Sequence, residues 1–94
     1  MTARKVKILL ADDHPLIRSG ISHLLQSYAD FLIVGEAGDG EEAIAKIKEL
    51  SPDVVIMDIS MPKLNGIEAI KIIRKKFSST RILVLSMYDD EEYI

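Results

Sequence analysis

Residues 53–66 read DVVIMDISMPKLNG, an apolar run that ends in an aspartate and is followed by a turn containing proline and glycine. The run DVVIMD (53–58) is short, rich in valine and isoleucine, and apolar at consecutive positions. Strands covered on both faces of a parallel sheet have this pattern, whereas a half-exposed strand alternates apolar and polar residues. The stretch therefore predicts a buried strand that carries Asp58 at its carboxyl end.

The rest of the chain repeats this arrangement. Three more runs of the same kind predict strands: VKILLAD (6–12), FLIVGEA (31–37) and RILVLS (81–86). Each gap between the four runs holds apolar residues at helical spacing: Ile17, Ile21, Leu24, Leu25 and Tyr28; Ala43, Ile44, Ile47 and Leu50; Ile67, Ile70, Ile73 and Phe77. Helix starts are indicated by Pro15 and by two patterns like a capping box, Asp39 with Glu42 and Asn65 with Glu68. Alternating strands and helices predict an α/β three-layer sandwich around a mostly parallel sheet.

Composition describes one small domain. Its 94 residues are 48% hydrophobic and include no cysteine, so neither a disulfide nor a thiolate metal site is expected. The start MTARKVKILLADD is not typical of a signal peptide, and no apolar run approaches the roughly 18 residues of a membrane span. A net charge of −3 argues against nucleic-acid binding by this segment itself. We expect a single cytoplasmic domain over residues 1–94 with no membrane association.

Acidic and hydroxyl side chains stand at three of the four predicted strand ends: Asp12 and Asp13, Asp58, and Ser86. Active residues of parallel α/β sheets gather outside the carboxyl ends of the strands, so these side chains should converge if the first and third strands are neighbours. Crowded carboxylates repel one another unless a cation lies among them, and ligands made only of oxygen suit Mg²⁺. An aspartate in such a place can act as a nucleophile and form an aspartyl phosphate.

Simpler interpretations exist for each residue taken alone. Asp13 can be a helix cap, Asp58 a turn residue at a strand end, and Ser86 a plain turn hydroxyl. The lone imidazole of His14, before a proline, is interpreted as a structural or surface residue, and His23 as a residue on a helix face. Three acids and a hydroxyl at three ends of one sheet nevertheless favour a common site.

At these residues the chain resembles a known family, the receiver domain of bacterial two-component response regulators. The matching segments are ILLADDHPLIRSGI (8–21), VGEAGDGEEAI (34–44), PDVVIMDISMPKLNGIEAI (52–70) and RILVLSMYDDEEYI (81–94). The segments around Asp12 and after Ser86 resemble the NarL/FixJ branch, whose members carry a LuxR-type helix-turn-helix after the receiver. The resemblance implies a flavodoxin-like (CheY-like) fold with strand order 2-1-3-4.

The resemblance also implies a phosphoacceptor site. Asp58 matches the aspartate that takes a phosphoryl group from a sensor histidine kinase, in a transfer that the receiver itself catalyses without being a turnover enzyme. Asp12 and Asp13 match the acidic pair that binds Mg²⁺ together with Asp58 and the backbone carbonyl of Ser60. Control of transcription would then pass to a DNA-binding domain outside these residues.

Three further positions have implied roles. Ser86 matches the hydroxyl that turns toward the phosphoryl group and starts the conformational switch. The side chains of Ser60 and Tyr88 match variable positions that tune the access of hydrolytic water.

One departure from the family is expected. Receivers carry a phosphoryl-binding lysine at the end of a fifth strand, and both this strand and the fifth helix lie beyond Ile94. Residues 1–94 are therefore expected to be an incomplete receiver. The edge of the fourth strand should then be exposed, which predicts a homodimer or other self-association.

Three other functions are alternatives to the active phosphoacceptor. A shortened receiver could serve only as a protein-interaction module, which the absent lysine favours. A phosphatase of the haloacid dehalogenase type is set aside, because position 60 is serine where that family needs a second acid and because Asp58 is not on the first strand. A dinucleotide fold is weaker still, since GEAGDG follows the second predicted strand rather than the first.

Overall fold

The computed structural model describes residues 5–58 and 66–85, apart from the side chains of Gly66 and Leu85. The elements follow in the order β1 (Val6–Ala11), α1 (Pro15–Gln26), β2 (Phe31–Ala37), α2 (Gly40–Leu50), β3 (Val54–Asp58), α3 (Gly66–Lys76) and β4 (Arg81–Leu85). Each strand begins and ends within one residue of its predicted bounds. Consecutive valines, isoleucines and leucines were a sufficient signal for β1 and β3, because these two central strands are covered on both faces.

The four strands form one parallel sheet in the order β2-β1-β3-β4, which confirms the predicted order. From β1 the chain moves outward to β2, and it then crosses back to place β3 on the other side of β1. The winding direction of the sheet therefore reverses between β1 and β3. In open α/β sheets, a crevice for ligands lies at this reversal, outside the carboxyl ends of the two strands.

Helices cover both faces of the sheet. Leu9, Val55 and Met57 face the side of α2 and α3, where they belong to one buried cluster with Ile47 and Ile73. The alternate strand residues form a smaller cluster on the side of α1: Ile8, Leu10 and Ile56, with Ile21 and Leu25 packed against them. The three-layer sandwich predicted from the sequence is confirmed, and the central strands β1 and β3 are packed on both faces.

The helix boundaries follow local capping chemistry. Pro15 is the first residue of α1, as predicted, and Asp39 accepts a hydrogen bond from the backbone N–H of Glu42 (2.7 Å) at the start of α2. The α1 helix ends before Tyr28, because the Ser27 hydroxyl donates to the Leu24 carbonyl (2.7 Å) and closes the last turn. Asn65 lies outside the described residues. None of the helices in the described ranges has the length and hydropathy that crossing a membrane requires.

Asp53 aligns the amino ends of three strands. Its Oδ2 accepts from the backbone N–H of Lys7 (2.8 Å), its own N–H donates to the Lys7 carbonyl (2.8 Å), and its carbonyl accepts from Arg81 N–H (3.0 Å). One residue thereby fixes the starts of β1, β3 and β4 relative to one another. The register at the opposite, carboxyl edge follows from this alignment.

Ser51, after the last residue of α2, adopts a left-handed conformation with φ 47° and ψ 57°. A residue with a Cβ pays about 1–2 kcal/mol for this conformation, whereas glycine adopts it freely. We expect Ser51→Gly to relieve this strain and raise the free energy of unfolding by up to about 1 kcal/mol. The gain is smaller than the relieved strain because glycine also makes the unfolded chain more flexible. Urea unfolding measures the change. Ser78→Gly is the matched control, because Ser51 is the sole non-glycine residue with positive φ in the described ranges; an equal gain from both substitutions would contradict the explanation.

Candidate functional site

The carboxyl ends of β1 and β3 bring together acidic residues that are distant in sequence. Ala11 pairs with Met57 across the two strands, so that Asp12 and Asp58, the next residues along, lie side by side. Asp13 and His14 follow directly in the loop before α1. One ligand atom from each of Asp12, Asp13, His14 and Asp58 lies within 4.8 Å of the others. The structure therefore brings the three predicted acids into one cluster at the crevice.

Two of these acids are buried. Asp58 is 0% exposed and Asp12 is 3% exposed, whereas the side chain of Asp13 keeps 28% of its surface in contact with solvent. Buried carboxylates are costly unless hydrogen bonds or cations compensate their charge. Two buried carboxylates beside a third acid are typical of a site that binds a divalent cation.

Asp12 is held by the backbone around it. Its N–H donates to the Ala37 carbonyl (2.9 Å), and its Oδ1 accepts from the N–H of His14 (2.7 Å). Its Oδ2 is buried and has no hydrogen-bond partner in the described part of the chain. A buried oxygen of this kind meets the requirement for a metal ligand, so the donor set fits a hard divalent cation such as Mg²⁺.

His14 lies among the same oxygens. Its Nδ1 is 2.9 Å from Asp12 Oδ1, 3.0 Å from Asp13 Oδ1 and 3.5 Å from Asp58 Oδ2. The hydrogen bond with Asp12 raises the pKa of His14 above its ordinary value, and the charges of Asp13, Asp12 and Asp58 act in the same direction. The ring is about half exposed, as the surface interpretation required, but that interpretation missed its contact with every acid of the cluster.

The simpler interpretation of Asp13 fails. His14, and not Asp13, is the N-cap residue of α1, and no side-chain cap hydrogen bond is present there among the described residues. His23 is exposed on α1, in agreement with its interpretation as a helix-face residue. Ser60, Ser86 and Tyr88 lie outside the described residues, and so does the turn after Asp58. The roles expected for them stay predictions.

A signal for His14 was present in the sequence. An aspartate whose carboxylate bonds the N–H two residues ahead forms an Asx-turn. Such a turn folds the chain back on the carboxylate, and the side chain of its third residue is brought close. The spacing of Asp12 and His14 is that of an Asx-turn, and this turn is the local signal for their contact.

Comparisons with known proteins show the family and the fold of the chain. The model of the response regulator receiver domain family matches residues 8–94. The uncharacterized transcriptional regulatory protein YxjL of Bacillus subtilis is 43% identical over 94 residues, which cover 100% of this chain and 43% of YxjL. The chain thus spans less than half the length of this relative.

Solved structures give the same result. The signal receiver domain of the putative response regulator NarL from Mycobacterium tuberculosis superposes with a TM-score of 0.88 at 36% identity, covering 96% of this chain and 73% of that one. RcsB from Salmonella enterica serovar Typhimurium, bound to a promoter in the presence of the phosphomimetic BeF₃⁻, has a TM-score of 0.85 at 36% identity. That match covers 93% of this chain and 45% of RcsB.

Proposed function

The chain belongs to the response regulator receiver domain family, and from this premise we propose that it accepts a phosphoryl group on Asp58. The observation that carries the proposal is the buried carboxylate of Asp58 at the end of β3, with Asp12 and Asp13 beside it. The donor we propose is the phosphohistidine of a sensor histidine kinase, encountered in the cytoplasm. The chain then acts as the receiving half of a two-component signalling pair.

The chemistry of the transfer is a nucleophilic substitution at phosphorus. An Asp58 carboxylate oxygen attacks the phosphorus atom, the new O–P bond forms, and the P–N bond to the histidine of the kinase breaks. The electron pair of the broken bond returns to the imidazole nitrogen of the kinase. Because Asp58 is buried and His14 Nδ1 lies 3.5 Å from its Oδ2, we expect the half-exposed His14 ring to move aside for the donor.

Mg²⁺ is the cofactor we propose. Asp12, through its buried Oδ2, and Asp13 would hold it with Asp58, and the Ser60 carbonyl is a further expected ligand. When bound, the ion neutralises charge on the phosphoryl oxygens and on the three carboxylates. The proposed part of Ser86 is to donate a hydrogen bond to a phosphoryl oxygen, and that of Ser60 and Tyr88 is to limit the access of water.

The output we propose is control of transcription. YxjL is a transcriptional regulatory protein more than twice the length of this chain, and RcsB binds a promoter in the presence of a phosphomimetic. We propose that residues 1–94 serve as the receiver of such a regulator, and that DNA binding belongs to a separate domain.

Mass spectrometry of the intact protein tests the proposed function. Incubation with acetyl phosphate and Mg²⁺ should add about 80 Da, the mass of one phosphoryl group on an aspartate nucleophile. Chelation of Mg²⁺ with EDTA should suppress the gain. No gain from a folded chain would refute the phosphoacceptor function and favour the second candidate.

The second candidate is an interaction module that associates through β4. In the described part of the chain β4 is an outer strand of the sheet, and it carries two exposed apolar residues, Leu83 at 53% and Val84 at 43%. An exposed apolar edge strand is a template for pairing with another chain.

A charge placed on this strand tests the association. We expect the chain to self-associate and Leu83→Glu to shift it to the monomer, because a buried unpaired carboxylate at the interface is costly. Sedimentation velocity measures the shift. Leu24→Glu is the matched control, since Leu24 is 60% exposed on α1, away from β4. A wild-type chain that is monomeric at all concentrations would exclude this association.

A further inference from the structure

The side chain of Arg18 reaches from α1 to the carboxyl ends of β1 and β2. Its Nη1 donates a hydrogen bond to the backbone carbonyl of Asp12 (2.7 Å) and lies 3.4 Å from that of Ala37. Its Nε donates to Glu36 Oε1 (2.7 Å). The Arg18 side chain is 22% exposed, and its hydrogen bonds join α1 to the ends of β1 and β2 beside the acidic cluster.

With this contact, Asp12 is fixed at three of its four polar atoms. Its N–H donates to the Ala37 carbonyl, and its carbonyl accepts from Arg18 Nη1. Its Oδ1 accepts from the N–H of His14. The remaining atom, Oδ2, is the buried oxygen without a hydrogen-bond partner in the described ranges. The contacts that immobilise Asp12 therefore leave one acceptor available for a cation.

We propose that Arg18 is a positioning residue for the divalent-cation site: its guanidinium clamps the backbone of Asp12, and Glu36 holds the guanidinium in place. The inference rests on the proposed function, since it concerns the Mg²⁺ site named there. Groups behind the metal ligands commonly set ligand orientation, and their loss typically lowers metal affinity by about 10–100-fold.

Glu36 has a distinct part in the clamp. A guanidinium near carboxylates forms paired hydrogen bonds with them where geometry allows. The hydrogen bond from Arg18 Nε to Glu36 Oε1 fixes the orientation of the planar guanidinium. In this orientation Nη1 points to the backbone carbonyl of Asp12. Without Glu36, the guanidinium is free to turn toward the Asp12 and Asp13 carboxylates and compete with the cation.

A competing explanation makes the opposite prediction. If Arg18 acted only as a positive charge near the site, its removal would reduce repulsion of Mg²⁺ and strengthen binding. If Arg18 positions Asp12, its removal weakens binding although a repulsive charge has been lost. The direction of the change in Mg²⁺ affinity separates the two explanations.

The experiment is isothermal titration of Mg²⁺ into the wild-type chain and four variants, with thermal unfolding of each metal-free protein. We expect Arg18→Ala to weaken Mg²⁺ binding about tenfold. Arg18→Lys keeps the charge but lacks the several N–H donors of a guanidinium. Its Mg²⁺ affinity should therefore lie between those of the wild type and Arg18→Ala. Glu36→Ala should also weaken binding. Arg74→Ala, which removes the same charge from an exposed position on α3, should bind as the wild type does.

The outcomes are distinct. Equal or tighter binding by Arg18→Ala, with wild-type affinity in Arg74→Ala, would overturn the role of Arg18 and leave the proposed function intact. Should Arg18→Ala fail to fold, the comparison of Arg18→Lys with the wild type decides in its place, and equal affinity there overturns the proposal. A wild-type chain that binds no Mg²⁺ would overturn both this inference and the proposed metal site.

Discussion

Replacing Asp58 with asparagine is expected to abolish phosphoryl acceptance. An amide is a far weaker nucleophile than a carboxylate, so the rate of labelling by acetyl phosphate should fall by at least about a hundredfold. Asp58 is fully buried, so a substitution there must preserve its volume. Asparagine has nearly the volume of aspartate, and the variant should therefore keep its fold. Intact mass with time measures the rate.

Asp30→Asn is the matched control for this loss. Asp30 is an exposed aspartate in the turn before β2, away from the carboxyl edge of the sheet. It should be labelled like the wild type, since it undergoes the same chemical change outside the cluster. Labelling of Asp58→Asn at the rate of the control would place the nucleophile elsewhere and contradict the assignment.

Replacing Asp12 with asparagine is expected to remove the stabilisation that Mg²⁺ gives the fold. A ligand present at about ten times its dissociation constant stabilises the native state by about 1.4 kcal/mol. The amide of the new side chain would offer an N–H₂ donor or a neutral oxygen where Oδ2 now stands, so the affinity for Mg²⁺ should fall at least about tenfold. Most of the stabilisation at that concentration is then lost.

Thermal unfolding followed by circular dichroism measures this effect, with and without Mg²⁺. Asp30→Asn again serves as the control, because it removes one negative charge at a distance from the cluster. The wild type and the control should both gain stability from Mg²⁺. An equal gain in Asp12→Asn would show that Asp12 does not bind the ion.

The sequence predicted the centre of the sheet well because β1 and β3 are covered on both faces. Apolar residues at consecutive positions, such as Ile8 and Leu9, face opposite buried clusters, which is what the pattern indicated. The convergence of Asp12 and Asp58 followed from the rule that the carboxyl ends of parallel strands meet at one edge.

Other contacts in the structure were not predictable in the same way. The contact of Arg18 with Glu36 joins residues 18 positions apart, and it depends on how α1 lies against β2. The contact of Asp53 with Lys7 spans 46 positions and depends on the register of β1 and β3. Neither pair has a periodic or local signal, since both arise from packing between elements. His14 differs, because a local Asx-turn brings it to the acids.

The glutamate of the predicted capping box at α2 shows a subtler limit. In a capping box the glutamate side chain accepts a hydrogen bond from the N–H of the N-cap residue, which here is Asp39. Glu42 Oε1 accepts instead from the N–H of Gly38 (2.7 Å). The motif was recognised and its first bond is present, yet the reciprocal bond moved by one residue. Short motifs predict where a helix begins better than they predict which donor each side chain satisfies.

Chemical trapping of the acyl phosphate tests directly whether Asp58 is the residue that accepts the phosphoryl group. After labelling with acetyl phosphate and Mg²⁺, borohydride reduces an aspartyl phosphate to homoserine, and peptide mass spectrometry locates the altered residue. We expect homoserine at position 58 after labelling with Mg²⁺, and an unchanged aspartate in the same peptide when Mg²⁺ is withheld. Homoserine at another aspartate, or at none while the protein gains phosphoryl mass, would contradict it.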